Sequence, residues 1–379
     1  MQIGVPREVK DHEFRVSVTP AGVREYRARG HQVLVQRSAG EGSGFADRQY
    51  AAAGAELVES AAEVFDRAEM IVKVKEPVPA EYDLLHPEQL LFTYLHLAAN
   101  APLTHALVRN HVQAVAYETV QLANGALPLL TPMSEVAGRM SVQVGAHYLE
   151  KAHCGSGTLL AGIPGVPGAE VVVIGGGVVG TNAAQIALGM GANVAIVDRS
   201  LDRLRQLDTM LHGRVNTLAS NAENVAAAVQ RADLVVGAVL LPGAKAPKIV
   251  SEEMVAAMKP GSVVVDVAID QGGCIATARP TTHSDPTYVE HGVVHYCVTN
   301  MPGAVPRTST IGLSNATLPY GLILADFGLQ GAVLRDPELA SGVNVINGKV
   351  THPGVAEALG MDYTPLSDAI AVEVSVLSA

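Results

Sequence analysis

One glycine-rich turn between two apolar strands constrains the fold of this chain more than any other feature. Residues 171–174 are a short β-branched run of the kind that forms a fully buried strand. Gly175, Gly177 and Gly180 follow, and an apolar pattern with helical spacing comes next. A second apolar strand then ends on Asp198. This order of strand, glycine turn, helix, strand and acid predicts a doubly wound α/β unit with a parallel sheet.

The three glycines also indicate what such a turn binds. Gly175 allows the tight turn, Gly177 lets the backbone approach a pyrophosphate, and Gly180 lets the helix pack closely on the strand. The free N–H groups at the start of the helix then hold the phosphates. Asp198 is placed to accept hydrogen bonds from the adenosine ribose and to repel a 2′-phosphate, which favours NAD over NADP. The alternative is a glycine-rich turn in some other α/β unit, with Asp198 capping its strand.

Charge and cysteine content limit the partners and the compartment. The formal net charge is −11, and an acidic surface without a basic cluster argues against nucleic acid or an anionic membrane as the main partner. Cys154, Cys274 and Cys297 lie far apart and match no ligand spacing, which suits a reducing compartment. We expect no signal peptide, and no apolar run in the sequence approaches the roughly 18 residues of a membrane span. We therefore expect a cytoplasmic protein.

The chain is long enough for two domains at about 150 residues each. Alternating strands and helices before the glycine turn predict a second parallel sheet covered by helices. Two proline-marked crossings, 128–132 and 301–306, bracket the glycine unit. They predict a Rossmann domain at 131–306, inserted into a first domain made of 1–130 and 307–379.

The individual elements follow from apolar periodicity. The predicted strands are 2–5, 32–36, 70–74, 89–95, 114–117, 171–174, 193–197, 234–239, 263–267 and 293–298. The predicted helices are 21–29, 51–56, 61–67, 103–109, a long helix 134–151 with Ser134 as its N-cap, and a core helix at 318–325 that Pro319 interrupts.

Chemically capable side chains follow the predicted strands at their carboxyl ends, where parallel sheets bind ligands. In the first domain these are Arg15, Lys75 and His96. The planar fork of Arg15 can grip a carboxylate, although a surface arginine paired with Glu13 or Glu8 is the alternative. Lys75 can hold a carbonyl or carboxylate group, or be a solvated loop lysine. His96 is a candidate acid–base group because only histidine titrates unaided near neutral pH.

Asp270 occupies the corresponding place in the second domain, after the predicted strand 263–267. It can orient a reacting water or amine, or cap the turn that follows it. The histidines show no metal-ligand spacing, since His291 and His295 are separated by residues that disfavour a helix. No G-x-S-x-G element is present. We therefore expect neither a metal centre nor a serine nucleophile.

Four segments of the chain together carry a family resemblance. They are Ile-Gly-Val-Pro-Arg-Glu at 3–8 with Arg15 after it, Val-Lys-Glu-Pro at 74–77, Leu-Phe-Thr-Tyr-Leu-His-Leu-Ala at 91–98, and Ile-Gly-Gly-Gly-Val-Val-Gly-Thr-Asn-Ala at 174–183. In this order they resemble the bacterial alanine dehydrogenase family. The resemblance runs over essentially the whole chain. The motifs are shared with the NAD-binding part of proton-translocating transhydrogenase and, more distantly, with saccharopine dehydrogenase.

The resemblance implies reversible oxidative deamination of L-alanine to pyruvate and ammonia, in a homohexamer. It implies that Arg15 and Lys75 bind the substrate and that His96 and Asp270 are catalytic. Position 203 is Arg where the family often has Lys. Together with the glycine turn, the expected NAD contacts are Ser134, Gly175, Gly177, Val178, Gly180, Asp198, Arg203, Ser220, Val239, Leu240, Val267, Ala268, Ile269, Asp270, Val298, Thr299, Asn300 and Met301.

Two other functions compete with a dehydrogenase. One is a transhydrogenase subunit that passes hydride to the NADP domain of another protein, which has no need of an amino-acid pocket. The other is a non-catalytic NAD-sensing or interaction module, in which His96 and Asp270 are ordinary structural residues. Opine-type activity on a larger amino acid is a variant within the dehydrogenase class.

Overall fold

The computed structural model describes residues 1–239 and 246–370 and confirms the predicted α/β class with two parallel sheets. The chain divides into two compact units. Unit 1 comprises Met1–Met133 and Gly303–Ala379, and unit 2 comprises Ser134–Pro302. Each unit contains one of the two sheets.

The elements are numbered along the chain. The strands are β1 (Gln2–Val5), β2 (Gln32–Gln36), β3 (Glu56–Val58), β4 (Met70–Val72), β5 (Leu90–Thr93), β6 (Gln113–Ala116), β7 (Glu170–Ile174), β8 (Asn193–Asp198), β9 (Asn216–Ala219), β10 (Leu234–Gly237), β11 (Val263–Asp266), β12 (Thr287–Glu290), β13 (Val293–Tyr296), β14 (Val343–Ile346) and β15 (Lys349–Val350). The α-helices are α1 (Pro20–Ala28), α2 (Asp47–Ala52), α3 (Ala61–Arg67), α4 (Ala101–Arg109), α5 (Thr131–Tyr148), α6 (Val178–Gly189), α7 (Leu201–Met210), α8 (Ala222–Arg231), α9 (Glu252–Ala256), α10 (Pro306–Arg335), α11 (Glu338–Gly342) and α12 (Pro353–Leu359). Short 3-10 turns lie at Glu41–Ser43, Pro79–Leu84, Leu97–Ala99, Tyr117–Thr119, Lys151–His153, Val267–Gln271 and Met301–Ala304.

Both sheets share one strand order. In unit 1 the order is β15-β14-β6-β5-β4-β1-β2-β3, and in unit 2 it is β12-β13-β11-β10-β7-β8-β9. Six strands of each sheet are parallel, and the added edge strands are antiparallel. In both units the first parallel strand pairs with the second on one side and the fourth on the other. Doubly wound sheets bind ligands at this reversal, outside the carboxyl ends of the strands.

Fully buried strands explain the continuous apolar runs in the sequence. Ile71 and Leu91 in unit 1, and Val172, Val235 and Val264 in unit 2, are all at most 3% exposed. Helices on both faces of a parallel sheet leave such strands no solvent-facing side. Each buried aliphatic side chain contributes about 1.5–3 kcal/mol relative to exposure.

Several predicted strands are too long at their carboxyl ends. Val74, Leu95 and Val298 were assigned to strands but follow β4, β5 and β13 in the loops. All three are buried, at most 1% exposed, so the apolar pattern continues past the last sheet hydrogen bond. The loops that carry the candidate site are therefore packed into the core and are not solvated connections.

The prediction missed β3, β9, β12, β14 and β15, and it extended a helix over 51–56 where α2 ends earlier and β3 begins. Four of these strands lie at a sheet edge. Edge strands are short and carry polar residues, as in Glu56–Val58 and Thr287–Glu290. They therefore lack the apolar run that identifies a central strand.

Helix α5 begins at Thr131, three residues before the predicted N-cap. Ser134 therefore lies within the first turn and does not cap the helix. Pro132, interpreted as part of a crossing, occupies that same first turn, where the missing N–H of proline costs nothing.

Helix α10 is longer than predicted. Pro319 lies inside it without ending it, and its break is at Gly328, with φ 64° and ψ 175°. Among the described residues α10 alone is long and apolar enough to cross a membrane, with a mean hydropathy of 1.2 in its best window. The sequence predicted no such run. This is weak evidence for a span, because a helix in a protein core meets the same criterion, and Leu313 and Leu324 are fully buried.

Candidate functional site

Arg15 lies in the loop after β1 and is buried, with its side chain 1% exposed. Its Nε donates to Glu13 Oε1 at 2.7 Å, and its Nη2 donates to Glu13 Oε2. Burial opposes the charge on Arg15, but the pair with Glu13 outweighs it and raises the pKa of the guanidinium. The alternative interpretation, a surface arginine paired with Glu13 or Glu8, is wrong because Arg15 is buried, although Arg15 does pair with Glu13. The guanidinium is thus a fixed, buried positive charge.

A second buried charge cluster joins the same loop, through Glu8, to the residues that follow β4. Lys73 Nζ donates to Glu81 Oε1 at 3.0 Å and lies 3.4 Å from Glu8 Oε2, and the Lys73 side chain is fully buried. Burial by itself lowers the pKa of Lys73, but the two carboxylates raise it overall. Glu8 Oε1 also accepts from Val74 N at 2.6 Å and Lys75 N at 3.4 Å. The cluster therefore fixes the backbone that carries Lys75.

His96 follows β5 in a strained backbone conformation. Its φ of 51° and ψ of 38° are left-handed, a region that residues other than glycine adopt mainly where the surroundings impose it. Glu118, after β6, accepts from the N–H of His96 at 2.6 Å. The ring is stacked on Tyr94 with centroids 6.0 Å apart, and the side chain is 45% exposed. The imidazole is thus held from its backbone while one side stays open.

Glu76 faces the imidazole from the end of β4. Its Oε2 lies 3.4 Å from His96 Nδ1, and its Oε1 pairs with Lys10 Nζ. That buried Oε2 has no well-formed hydrogen bond within the described part of the chain. Burial alone raises the pKa of Glu76, but His96 and Lys10 outweigh it and hold the pKa well below its ordinary value. An ionised Glu76 aimed at Nδ1 was not predicted, although it directly follows Lys75.

Tyr94 joins the three predicted residues of unit 1. Lys75 Nζ lies 6.0 Å from the centre of its ring, and His96 stacks on it. Burial raises the pKa of Tyr94, and the charge of Arg15 opposes that rise. The structure therefore brings Lys75 and His96 to one aromatic ring at the carboxyl ends of β4 and β5, and the charge of buried Arg15, in the loop after β1, acts on the same ring. Next to Arg15 a cavity of about 390 Å³ is lined by Arg7, Glu8, Val9, Lys10, His12, Glu13, Phe14, Arg15, Ser38, Ala39 and Gly42.

The glycine turn of unit 2 has the geometry that a dinucleotide requires. Gly175 has φ 102°, and a Cβ on Gly180 would lie 1.8 Å from the Gly175 carbonyl oxygen. A Cβ on Gly177 would meet nothing within 4 Å, so the space before α6 is open. Gly177 is the N-cap of α6 and gives its first turn no side-chain hydrogen bond. The first N–H groups of α6 can therefore bind phosphate.

Asp198 and Arg203 hold this turn in place. Asp198 Oδ2 accepts from Gly176 N at 2.8 Å, while Arg203 Nε donates to Gly176 O at 2.6 Å. Arg203 Nη2 also donates to Thr181 Oγ1 at 2.8 Å. Ser220 N donates to the carbonyl of Asp198 at 2.9 Å. Of the expected contacts, Asp198 and Arg203 are thus brought to the glycine turn, and Ser220 lies next to Asp198.

The end of β10 lies against the same turn. A Cβ on Gly175 would be 2.7 Å from Ala238 O and 3.2 Å from Val239 Cγ2. Val178, at the start of α6, is 41% exposed. Ser134 is half-buried in the first turn of α5. Leu240 lies outside the described residues.

Asp270 lies in the 3-10 turn Val267–Gln271, which also contains Val267, Ala268 and Ile269. Buried Asp266 supports this turn by accepting from Ala268 N at 3.0 Å and Ile275 N at 3.1 Å. Burial raises the pKa of Asp266 to about 6.

The loop after β13 meets this turn. Asn300 N lies 3.4 Å from Asp270 Oδ1 as a donor. This hydrogen bond joins the turn to the segment that contains Val298, Thr299, Asn300 and Met301.

Comparisons with known proteins agree along the whole chain. The profile of the family described as alanine dehydrogenase/PNT matches residues 4–137 with its N-terminal domain and residues 141–353 with its C-terminal domain. Alanine dehydrogenases of Methanococcus maripaludis and Mycolicibacterium smegmatis are 58% and 53% identical to it, each over 98% of this chain and 100% of their own length.

Solved structures agree as well. An L-alanine dehydrogenase structure with 53% identity superposes with a TM-score of 0.92 over 95% of this chain and 99% of its own. A transhydrogenase from Sinorhizobium meliloti shares the fold, with a TM-score of 0.79 and 24% identity over 93% of this chain and 99% of its own.

Proposed function

The chain belongs to the alanine dehydrogenase/PNT family, and we infer that it is an NAD-dependent alanine dehydrogenase that interconverts L-alanine with pyruvate and ammonia. The observation that carries this conclusion is the end-to-end match to alanine dehydrogenases at 53–58% identity. The transhydrogenase likeness, at 24% identity, concerns the fold alone. The alternative of a hydride-passing subunit therefore has the weaker support.

The glycine turn fits NAD by its own geometry. The open space at Gly177 and the uncapped start of α6 suit a pyrophosphate, and Asp198 at the end of β8 suits an adenosine ribose. When bound, the nicotinamide supplies the hydride chemistry, and the protein supplies its position. We propose that the remaining expected contacts of unit 2 line this same cofactor.

The charged groups of unit 1 suit the carboxylate of a small amino acid. Arg15 is a buried cation whose orientation is fixed by Glu13, and the backbone of Lys75 is fixed by Glu8. We propose that the two cations hold the substrate carboxylate. Fixing a reactant in one orientation can supply several kcal/mol of the barrier.

We propose that His96 moves the proton of this reaction at its Nε2. An ionised Glu76 beside Nδ1 favours the tautomer with the proton on Nδ1, which leaves Nε2 as the basic atom. Nε2 then takes a proton from the attacking water and returns protons towards the departing ammonia. Asp270, held near Asn300, orients the water or amine and stabilises positive charge on the imine.

One assay tests the function. On addition of L-alanine at alkaline pH, the purified protein with NAD should generate NADH, measured by the absorbance of the reduced nicotinamide at about 340 nm. With pyruvate and ammonium it should consume NADH. Serine, 2-aminobutyrate, glutamate, lysine and D-alanine are the comparison substrates. Binding of NAD without turnover of L-alanine favours the sensing module, whereas faster turnover of glutamate or lysine favours an opine-type enzyme.

We also propose that the enzyme works in the cytoplasm as a homohexamer. The sparse cysteines suit a reducing compartment, and the hexamer follows from the family resemblance. Sedimentation analysis should give about six times the 39.4 kDa of one chain. A mass of one or two chains would contradict the hexamer.

The two glycines of the turn should respond differently to alanine. Gly177→Ala adds a Cβ that touches no protein atom within 4 Å, so the melting temperature should hold while NADH affinity falls roughly tenfold because the methyl group enters the phosphate space. Gly180→Ala forces the Gly175 carbonyl to move and should cost about 1–3 kcal/mol of stability as well. Thermal unfolding and NADH fluorescence titration measure both effects. Unchanged NADH affinity in Gly177→Ala would contradict a pyrophosphate site at the start of α6.

Glu76 should control turnover more than binding. Glu76→Ala removes the group that faces His96 Nδ1, so kcat should fall roughly tenfold or more while the KM for alanine changes little. Glu76→Gln keeps an acceptor oxygen and should recover part of the loss. Steady-state kinetics separate kcat from KM. Glu357→Gln on the exposed face of α12 is the control, and a rise in KM at constant kcat would instead make Glu76 a binding residue.

A further inference from the structure

Two imidazoles and one carboxylate meet at the carboxyl end of α5. His147 is in the last turn of the helix, Glu150 lies beyond it, and His153 closes the 3-10 turn that follows. His147 Nδ1 is 3.8 Å from Glu150 Oε1, and His153 Nε2 is 4.0 Å from Glu150 Oε2. One ligand atom from each residue lies within 4.8 Å of the other two.

Tyr148 holds the two rings beside each other. The imidazole centroids are only 4.0 Å apart, and the Tyr148 ring packs edge-on against His147 at 5.1 Å and His153 at 5.6 Å. Tyr148 in turn packs on Tyr296 at 5.6 Å, which ties it to β13. The two imidazoles therefore share a common support, and their proximity does not depend on the carboxylate alone.

We propose that His147, Glu150 and His153 form a binding site for a divalent transition-metal ion of the zinc class. A site with two imidazole nitrogens and one carboxylate oxygen binds zinc, nickel and copper ions in preference to magnesium or calcium ions. Tetrahedral zinc with bonds of about 2.0–2.1 Å places its ligand atoms roughly 3.3 Å apart. Since one ligand atom from each residue lies within 4.8 Å of the other two, the atoms need to close by at most about 1.5 Å, in side chains that are 36% to 62% exposed.

The ion would join the end of α5 to the turn that follows it. Three protein ligands leave a fourth position for water. Backbone hydrogen bonds already shape this stretch, from Glu150 N to His147 O at 3.1 Å and from His153 N to Glu150 O at 3.0 Å. The bound ion should therefore stabilise the folded chain, because it binds the folded arrangement and not the unfolded one. The sequence did not predict this site, because its ligands lie three residues apart across a helix end and do not match the H-E-x-x-H pattern.

Calorimetric titration of zinc chloride into EDTA-treated, desalted full-length protein tests the site. We expect one zinc ion per chain with micromolar affinity and a rise in melting temperature that EDTA reverses. His147→Ala and His153→Ala should each weaken zinc binding at least tenfold (~10–100-fold is the effect even of losing outer-shell support). Melting temperatures without zinc show that both variants are folded.

Two matched variants decide whether these ligands are the right ones. His291→Ala disrupts a second surface group, Glu252, Glu290 and His291, that offers only one imidazole, and it should leave zinc binding unchanged. Cys154→Ser removes the exposed thiol next to His153 and should also leave it unchanged. Loss of zinc binding in either of these variants, its retention in both histidine variants, or the absence of saturable binding below millimolar zinc would overturn the proposal.

Discussion

Replacing His96 by alanine should lower kcat for L-alanine at least ~10²-fold, the lower end of what a general acid–base group contributes. NADH affinity should persist, because the glycine turn and its supporting residues belong to unit 2. The loss follows from the position of the imidazole, with Nδ1 facing Glu76 and its backbone N–H bound to Glu118. NADH absorbance in the direction of alanine oxidation measures kcat, and NADH fluorescence measures affinity.

Two further variants separate chemistry from conformation at this position. Asparagine tolerates the left-handed backbone at this position but cannot transfer the proton. The kcat of His96→Asn should therefore be as low as that of His96→Ala. His105→Ala, on the exposed face of α4, should be as fast as the wild type. Near-normal turnover in His96→Asn would remove the imidazole from the reaction, and a parallel loss of NADH affinity would point to misfolding instead.

Replacing Lys73 by methionine should lower the free energy of unfolding by about 3–5 kcal/mol. The reason is that Glu8 and Glu81 stay buried when their shared cation is removed. Because burial already raises the pKa of Glu8, its protonation relieves part of this cost. The folded variant binds protons more readily than the unfolded chain, so its deficit should shrink as the pH falls from about 8 to about 5. Urea unfolding at several pH values measures the deficit.

The matched control lies two residues further along the same loop. Lys75→Met removes a half-buried lysine, so its effect on stability should stay within about 0.5 kcal/mol while turnover of alanine falls. The triple variant Glu8→Gln, Lys73→Met, Glu81→Gln leaves no unpaired charge and should recover most of the stability. A loss below about 1 kcal/mol in Lys73→Met would mean that water reaches the cluster.

The local order of strand, glycine turn and acid was enough to predict the Rossmann unit, because each signal lies within about 30 residues of the next. The catalytic candidates of unit 1 were also predictable, since parallel strands bring their carboxyl ends to one edge. The buried charges around them were not. Lys73 stands inside an apolar run and was assigned to a strand, while its partner Glu8 lies 65 residues away in sequence.

Long-range pairing also hid the partner of the imidazole. Glu76 follows Lys75 directly, but its role depends on Lys10 and His96, which come from other strand ends. Distances between such segments are set by the sheet register and not by local spacing. A lone lysine in an otherwise apolar strand is the one signal that could have revealed the buried cluster, because such a charge is seldom buried without partners.

The shared strand order of the two sheets has a consequence for how this architecture diversifies. The same six-strand scaffold carries a glycine turn in unit 2 and a set of charged side chains in unit 1, and in both units these residues lie at or beyond the carboxyl ends of the strands. A new specificity in either half therefore calls for exchanging those loops, not for redesigning a core. Exchanging these loops between the two units is therefore a practical route to enzymes that act on other small acids while the sheets and helices stay unchanged.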